Sequence, residues 1–278
     1  PVPDEPTPEG GGSGAGRAFS VQKYGMLHWG DLFTARQKVA LVTLARLSRE
    51  RPGADGEAVR ALLMCAFDIF ARSANSGARL RPDSSVAPAF GMHALPITWT
   101  FPETVLSGGR SEHFDGAVDS VAKVIEGRGV LVPANAQLHL ADATEHPLPD
   151  ETAQVWFTDP PYYFAVPYAD LSDFFFVWFK RALPGHPLLR DPFDPANPLT
   201  PKTRELCEMA HWDKDRYANK DQKFFEDGMA KAFAEGRRVL REDGVGAVVF
   251  AHKTTEGWEA LLSGLIRGGW TITGSWPI

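Results

Sequence analysis

The run Val155-Trp156-Phe157-Thr158-Asp159-Pro160-Pro161-Tyr162-Tyr163 constrains this chain more than any other stretch. Four residues suited to a buried strand stop at an acid followed by two prolines, which cannot donate to a sheet ladder. The strand therefore ends in a turn at Asp159. With two backbone donors removed, the carbonyls of Asp159 and Pro160 are left to face a ligand rather than a neighbouring strand. A carboxylate beside a carbonyl suits an exocyclic amino group. The pair holds both amino hydrogens and favours the pyramidal form in which the nitrogen lone pair can attack. Tyr162 offers a face on which a base extruded from the stack can lie. With a methyl donor in line, positioning and electrostatics supply most of the acceleration. The bland reading of the same residues is a strand end and a packed tyrosine, since a short motif needs its structural context.

That context comes from alternating elements in the second half of the chain. Gln137 to Leu140 reads as a short strand ending at Ala141-Asp142-Ala143, and Val155 to Thr158 as another ending at Asp159. Ligands gather at the carboxyl ends of strands in open α/β sheets, so Asp142 and Asp159 are candidates for one crevice. A helix from about Asp170 to Arg181, a Pro-rich loop from Pro184 to Pro201 and an amphipathic helix from about Asp221 to Leu240 follow. Glu242-Asp243-Gly244 reads as a turn into the buried-strand pattern Gly246 to Ala251. His252-Lys253-Thr254-Thr255 then forms a loop, Trp258 to Ile266 a helix and Trp270 to Trp276 a last strand. Such repeats predict an α/β fold with a mostly parallel sheet and helices on both faces.

Upstream, helical spacing starts at Asp31, with Asp31 or Thr34 as the cap. It resumes over Gly56 to Ala74 and Phe114 to Ile125, on either side of an irregular segment at 76–111. Residues 1–21 read as a flexible Pro/Gly linker, because Gly10 to Gly16 follow no strand and precede no Lys-Ser/Thr. The predicted organisation is this linker, a helical and irregular segment at 22–130, and an α/β core at 131–278.

A formal charge of −6 excludes a uniformly basic coat but leaves room for a local basic groove. Cys65 and Cys207 lie far apart, so neither a disulfide framework nor a zinc ribbon is expected, and no metal ligands are assigned. A reducing cytoplasm is the expected setting. The aromatic run Phe174 to Phe179 is much shorter than the ~20 residues that span a bilayer, so no membrane partner is expected. The first residue is Pro1 rather than Met, which suggests a processed product or a piece of a longer chain.

Residues 22–278 resemble the C-terminal portion of a family of large prokaryotic adenine-specific DNA methylases, some members of which accompany anti-phage systems. The residues that carry this are Tyr24-Gly25-Met26, Leu32 to Gln37, Asp159 to Tyr163, Val166 to Phe175, Leu199 to Lys202, Phe250 to Thr255 and Ser275 to Ile278. The resemblance implies a partial Rossmann-like methyltransferase sheet preceded by a helical segment. It implies S-adenosylmethionine as cofactor and DNA with a flipped-out adenine as substrate. Asp159, Pro160, Pro161 and Tyr162 would hold the target amino group. Asp142 and Ala143, with Asp159, would contact the cofactor, and Tyr162, Tyr163, Tyr168, His252 and Lys253 would contact substrate. A strand ending in the family's glycine-rich cofactor loop has no counterpart in the chain. Phe164-Ala165 stands where polar residues are expected. Two readings follow: an adenine-N6 methyltransferase, or a fragment of one; or a non-catalytic DNA- or partner-binding module whose cofactor loop comes from a second polypeptide. Cytosine N4 and RNA targets remain open, since an amino group on an aromatic plane occurs on either base.

Overall fold

The computed structural model describes the chain except for residues 11–17, 53–55, 92, 96, 111, 129–136, 138, 140, 164–165 and 277–278. The chain divides into two units. One comprises Pro1–Gly12, Gly16–Ala134 and Tyr168–Glu205; the other comprises Ser13–Ala15, Asn135–Pro167 and Leu206–Ile278. This differs from a boundary at residue 130, because residues 168–205 belong with the helical unit. The physical reason is the aromatic run, which is completed by apolar helices of the first half.

In the helical unit, α1 (Ala35–Glu50) and α2 (Gly56–Ala71) pack with α3 (Phe114–Arg128) and α4 (Tyr168–Ala182). A two-residue hairpin, β1 (Arg79–Leu80) with β2 (Val86–Ala87), is the only sheet within the irregular segment among the described residues. Of the two candidate caps, Thr34 starts α1. Its hydroxyl accepts from Gln37 N–H at 3.3 Å while Gln37 Oε1 accepts from Thr34 N–H at 2.9 Å, a reciprocal capping box. Asp31 instead accepts from His28 N–H at the preceding 3₁₀ turn. α4 supplies the centre of the core: Phe174 and Trp178 are fully buried, Phe33 stacks on Phe174 at 5.7 Å and Phe67 meets Trp178 at 5.4 Å.

The linker expectation for 1–21 needs correction over residues 1–9 and 18–21, the latter because Ala18, Phe19 and Val21 are buried and Leu95 N–H donates to the Ala18 carbonyl at 2.7 Å. Trp29 N–H donates to the Glu5 carbonyl and Gly30 N–H to the Pro3 carbonyl, each at 3.0 Å. The Arg181 guanidinium donates to Glu5 Oε1 at 2.9 Å and to the Pro1 carbonyl at 3.0 Å. Backbone pairing and one well-partnered arginine hold a segment that composition alone assigned to solvent. Gly11 to Gly16 lie outside the described residues.

Asp68 of α2 makes the unit pH-sensitive. Its Oδ1 is buried without a hydrogen-bond partner among the described residues, and burial pushes the carboxyl up to about 8 against the opposing pull of Arg72. The folded state thus holds a proton that the unfolded chain releases near pH 4. Stability contributed below that pH falls as pH rises toward about 8, by at most about 1.4 kcal/mol per pH unit. Urea melts at pH 5 and pH 8 should show this slope, and Asp68→Asn should flatten it; an unchanged slope would refute the assignment.

The other unit is built from β3 (Ala153–Thr158), α5 (Gln222–Val239), β4 (Leu240–Val248) and α6 (Thr255–Arg267). β3 and β4 are parallel, so the mixed helix and sheet composition and parallel pairing expected from sequence are present. Asp221 caps α5, accepting from Phe224 N–H at 2.8 Å. The pairing steps from Ala153↔Leu240 to Val155↔Val245, so Arg241 to Gly244 form a bulge where a turn was expected. On one face Trp156 stacks on Trp270 at 5.1 Å and meets Phe233 of α5 at 6.0 Å. A Cβ on Gly236 would lie 2.3 Å from the Trp156 ring, so only glycine lets α5 approach this closely.

Three expectations change here. Residues 270–276 are not a strand: Trp270 turns back, its indole donating to the Phe233 carbonyl at 2.8 Å. Helices do not cover both faces among the described residues, since Val155, Phe157 and Val245 each remain about two-thirds exposed. The strand expected at 137–140 includes Leu138 and Leu140, which lie outside the described residues. No helix among the described residues is long and apolar enough to cross a membrane.

Candidate functional site

Parallel pairing decides where the Asp-Pro-Pro-Tyr turn sits. Thr158 pairs with Val248, and Val249 N–H then donates to the Thr158 carbonyl at 2.9 Å, so both chains leave the sheet at the same end. Asp159 to Tyr162 therefore emerge beside Phe250 to Thr254. This is the carboxyl edge at which α/β sheets place ligands.

The two prolines shape the turn itself. Tyr163 N–H bonds back to the Pro161 carbonyl at 3.1 Å, and Tyr163 takes a left-handed φ of 53°, a strained conformation for a bulky residue. The reversal separates the two tyrosines. Tyr162 remains half-buried, and its hydroxyl donates to Asp159 Oδ1 at 3.0 Å. Tyr163 is buried, its ring against Phe225 at 5.0 Å and its carbonyl accepting from Glu208 N–H at 3.2 Å. Burial and nearby Glu208, Glu226 and Glu256 push its phenol up. The expectation that Tyr163 contacts substrate is thus corrected: its ring is core, leaving Tyr162 as the accessible face.

Asp159 is exposed, Pro160 is buried, and neither carbonyl accepts a hydrogen bond from another described residue. The Asp159 carboxylate and the carbonyls of Asp159 and Pro160 are therefore hydrogen-bond acceptors carried on one turn.

An aromatic wall adjoins this turn. Phe250 meets Tyr162 edge-to-face at 5.7 Å, Trp258 edge-to-face at 5.2 Å and His252 in near-parallel alignment at 6.1 Å. His252 Nδ1 lies 3.2 Å from the Thr254 backbone nitrogen and 3.3 Å from its hydroxyl, so the ring is held against the loop that leads into α6. Thr254 caps α6 and accepts from Gly257 N–H at 3.4 Å. A Cβ on Gly257 would stand 2.2 Å from His252 Nδ1. Gly257→Ala should therefore destabilise by about 1–3 kcal/mol through overpacking, reversing the ~1 kcal/mol gain that alanine normally brings to a helix. A thermal melt checks the sign, and a higher Tm would show that His252 has room to move.

The remaining expected residues fall into separate places. Lys253 is exposed on the same loop as His252. Asp142 belongs to this unit, where Oδ1 accepts from Thr144 N–H at 2.8 Å and from its hydroxyl at 2.7 Å, a local turn at the half-buried carboxylate. Ala143 is exposed beside it. Arg238 of α5 holds the following segment through the His146 carbonyl at 2.9 Å and the Leu148 carbonyl at 3.1 Å. Tyr168 lies in the helical unit, at the start of α4, with its ring 6.4 Å from His93. Phe250 and Trp258 are the residues that sequence reasoning did not assign to the site. Phe250 was read as part of the strand pattern Gly246 to Ala251 and Trp258 as the start of a helix; β4 ends instead at Val248, and its parallel pairing with β3 puts both beside the turn.

Comparison with known proteins gives no matching family model, no matching curated protein and no matching solved structure.

Proposed function

We propose that this chain is an S-adenosylmethionine-dependent adenine-N6 DNA methyltransferase, or a fragment of one, with Asp159, Pro160 and Tyr162 forming its amino-group pocket. The observation that carries this reading is the parallel β3–β4 pair. It sets Asp-Pro-Pro-Tyr at the carboxyl end of a sheet, with backbone carbonyls that accept from no other described residue beside the Tyr162–Phe250 pair. The Rossmann-like fold and the cofactor are inherited from the resemblance, and the turn geometry is compatible with both.

In this reaction the Asp159 carboxylate and the Pro160 carbonyl accept the two hydrogens of the adenine amino group. The lone pair would thereby be localised on nitrogen; if the bound cofactor gave up its methyl group, leaving as S-adenosylhomocysteine, the amino proton released would have the Asp159 carboxylate as its nearest acceptor. Tyr162 bears on the base plane, while its hydroxyl, bonded to Asp159, keeps the carboxylate in register. The cofactor supplies an electrophilic methyl group, and Asp142 and Ala143 are the residues of this chain proposed to meet its adenine.

The exposed Val155, Phe157 and Val245 favour a second reading, in which another polypeptide completes the sheet and brings the cofactor loop. Parallel strands are ordinarily covered on both faces. Calorimetric titration of S-adenosylmethionine, paired with methyl transfer to adenine-containing DNA, separates the two. Binding and transfer by the chain alone support the enzyme; neither signal from folded protein rejects it for the isolated chain and leaves the module reading.

A further inference from the structure

Trp258 is 41% exposed at the start of α6, yet its ring is held in place. Its indole N–H donates to the His252 carbonyl at 3.1 Å, and its ring meets Phe250 at 5.2 Å with the planes 86° apart. Phe250 also meets Tyr162 at 82°, so one ring braces two others, and Tyr162 is bonded to Asp159. The group thus links the acidic turn to an indole that faces solvent. A tryptophan fixed by a hydrogen bond and a ring contact loses little freedom when a second flat ring settles on it. Heteroaromatic rings are the ligands such a surface takes, because stacking tolerates any base and needs no matched hydrogen bonds.

We propose that Trp258 is a stacking platform for a nucleobase neighbouring the one whose amino group Asp159 and Pro160 hold. The proposal rests on the reading of Asp159 to Tyr162 as a nucleobase pocket and adds a second contact along the same strand. Trp258 acts in binding and register rather than in methyl transfer itself.

The test is fluorescence anisotropy with a labelled DNA duplex carrying one unpaired adenine, with normal or abasic positions flanking it. Trp258→Ala should weaken binding about tenfold, within the range expected for loss of one stacked base. Trp258→Phe should retain most of the affinity, because a ring plane remains. An abasic neighbour should weaken the wild type but hardly affect Trp258→Ala, a coupling that loss of a merely structural contact would not produce. Wild-type affinity in a folded Trp258→Ala variant overturns the platform while leaving the pocket reading standing, as does additive loss in the abasic duplex. No binding of any duplex by the folded wild type overturns both. If Trp258→Ala fails to fold, Trp258→Phe with the abasic series decides alone: the platform predicts that the abasic penalty persists in this variant, and its absence in both proteins refutes it.

Discussion

Alanine in place of Asp159 should lower methyl transfer by at least 10²–10³-fold in the proposed reaction, the cost typical of removing one preorganised electrostatic partner of a transition state. The carboxylate accepts the amino hydrogens at the moment the nitrogen becomes nucleophilic, so its loss falls on the chemical step more than on binding. Asp159 is exposed, and its only described hydrogen-bond partner is the Tyr162 hydroxyl. Stability should therefore change by less than ~0.5 kcal/mol. Asparagine retains one neutral acceptor and should keep part of the rate. Single-turnover transfer to an adenine-containing duplex, with a melt of each variant, reads both effects. A full-rate Asp159→Ala variant would remove the residue from the mechanism, and a large drop in Tm would make it structural instead.

Asp173→Ala should cost about 3–5 kcal/mol of folding stability, because it removes the carboxylate partner of a half-buried lysine and of two Thr200 donors. Asp173 is inaccessible to solvent on α4, and Lys202 Nζ lies 3.0 Å from its Oδ1. Thr200 adds its hydroxyl at 2.6 Å and its backbone N–H at 2.9 Å to the same oxygen. Burial pushes the Asp173 carboxyl up, while Lys202 and Thr200 pull it down. Without the carboxylate, these three donors lose their shared acceptor and the loop ending at Lys202 loses its anchor on α4. Urea denaturation of Asp173→Ala and Asp173→Asn measures the effect, with the amide expected to lose less because one acceptor oxygen remains. A loss under 1 kcal/mol would mean that water replaces the carboxylate. Asp170 to Phe175 and Leu199 to Lys202, well separated in sequence, thus meet in space around one carboxylate.

Much of the local structure was legible because it depends on neighbours in sequence. The spacing of apolar residues located α1, α2, α3, α4 and α5 to within a few residues, Thr34 was one of two candidate caps for α1, and two prolines fixed the end of β3. The acceptor character of Asp159 and Pro160 follows from the same local chemistry. Less was legible wherever a residue answers to a distant partner. Pro1 to Glu9 looked like solvent-bound linker because nothing nearby in sequence announces Arg181 or the Trp29 backbone. Both tyrosines were expected to contact substrate, but the left-handed turn at Tyr163 sends its ring into the core against Phe225.

Sequence by itself determined that a strand ends at Asp159-Pro160-Pro161-Tyr162, since proline restricts φ and lacks a donor in any fold. Only the tertiary structure decided what stands next to that turn. The parallel register of β3 and β4 brings residues ninety positions apart to one sheet end, and with them the Phe250 and Trp258 rings. Backbone restrictions are local and travel with the sequence; the meeting of two strand ends depends on long-range packing and pairing, which no short segment encodes.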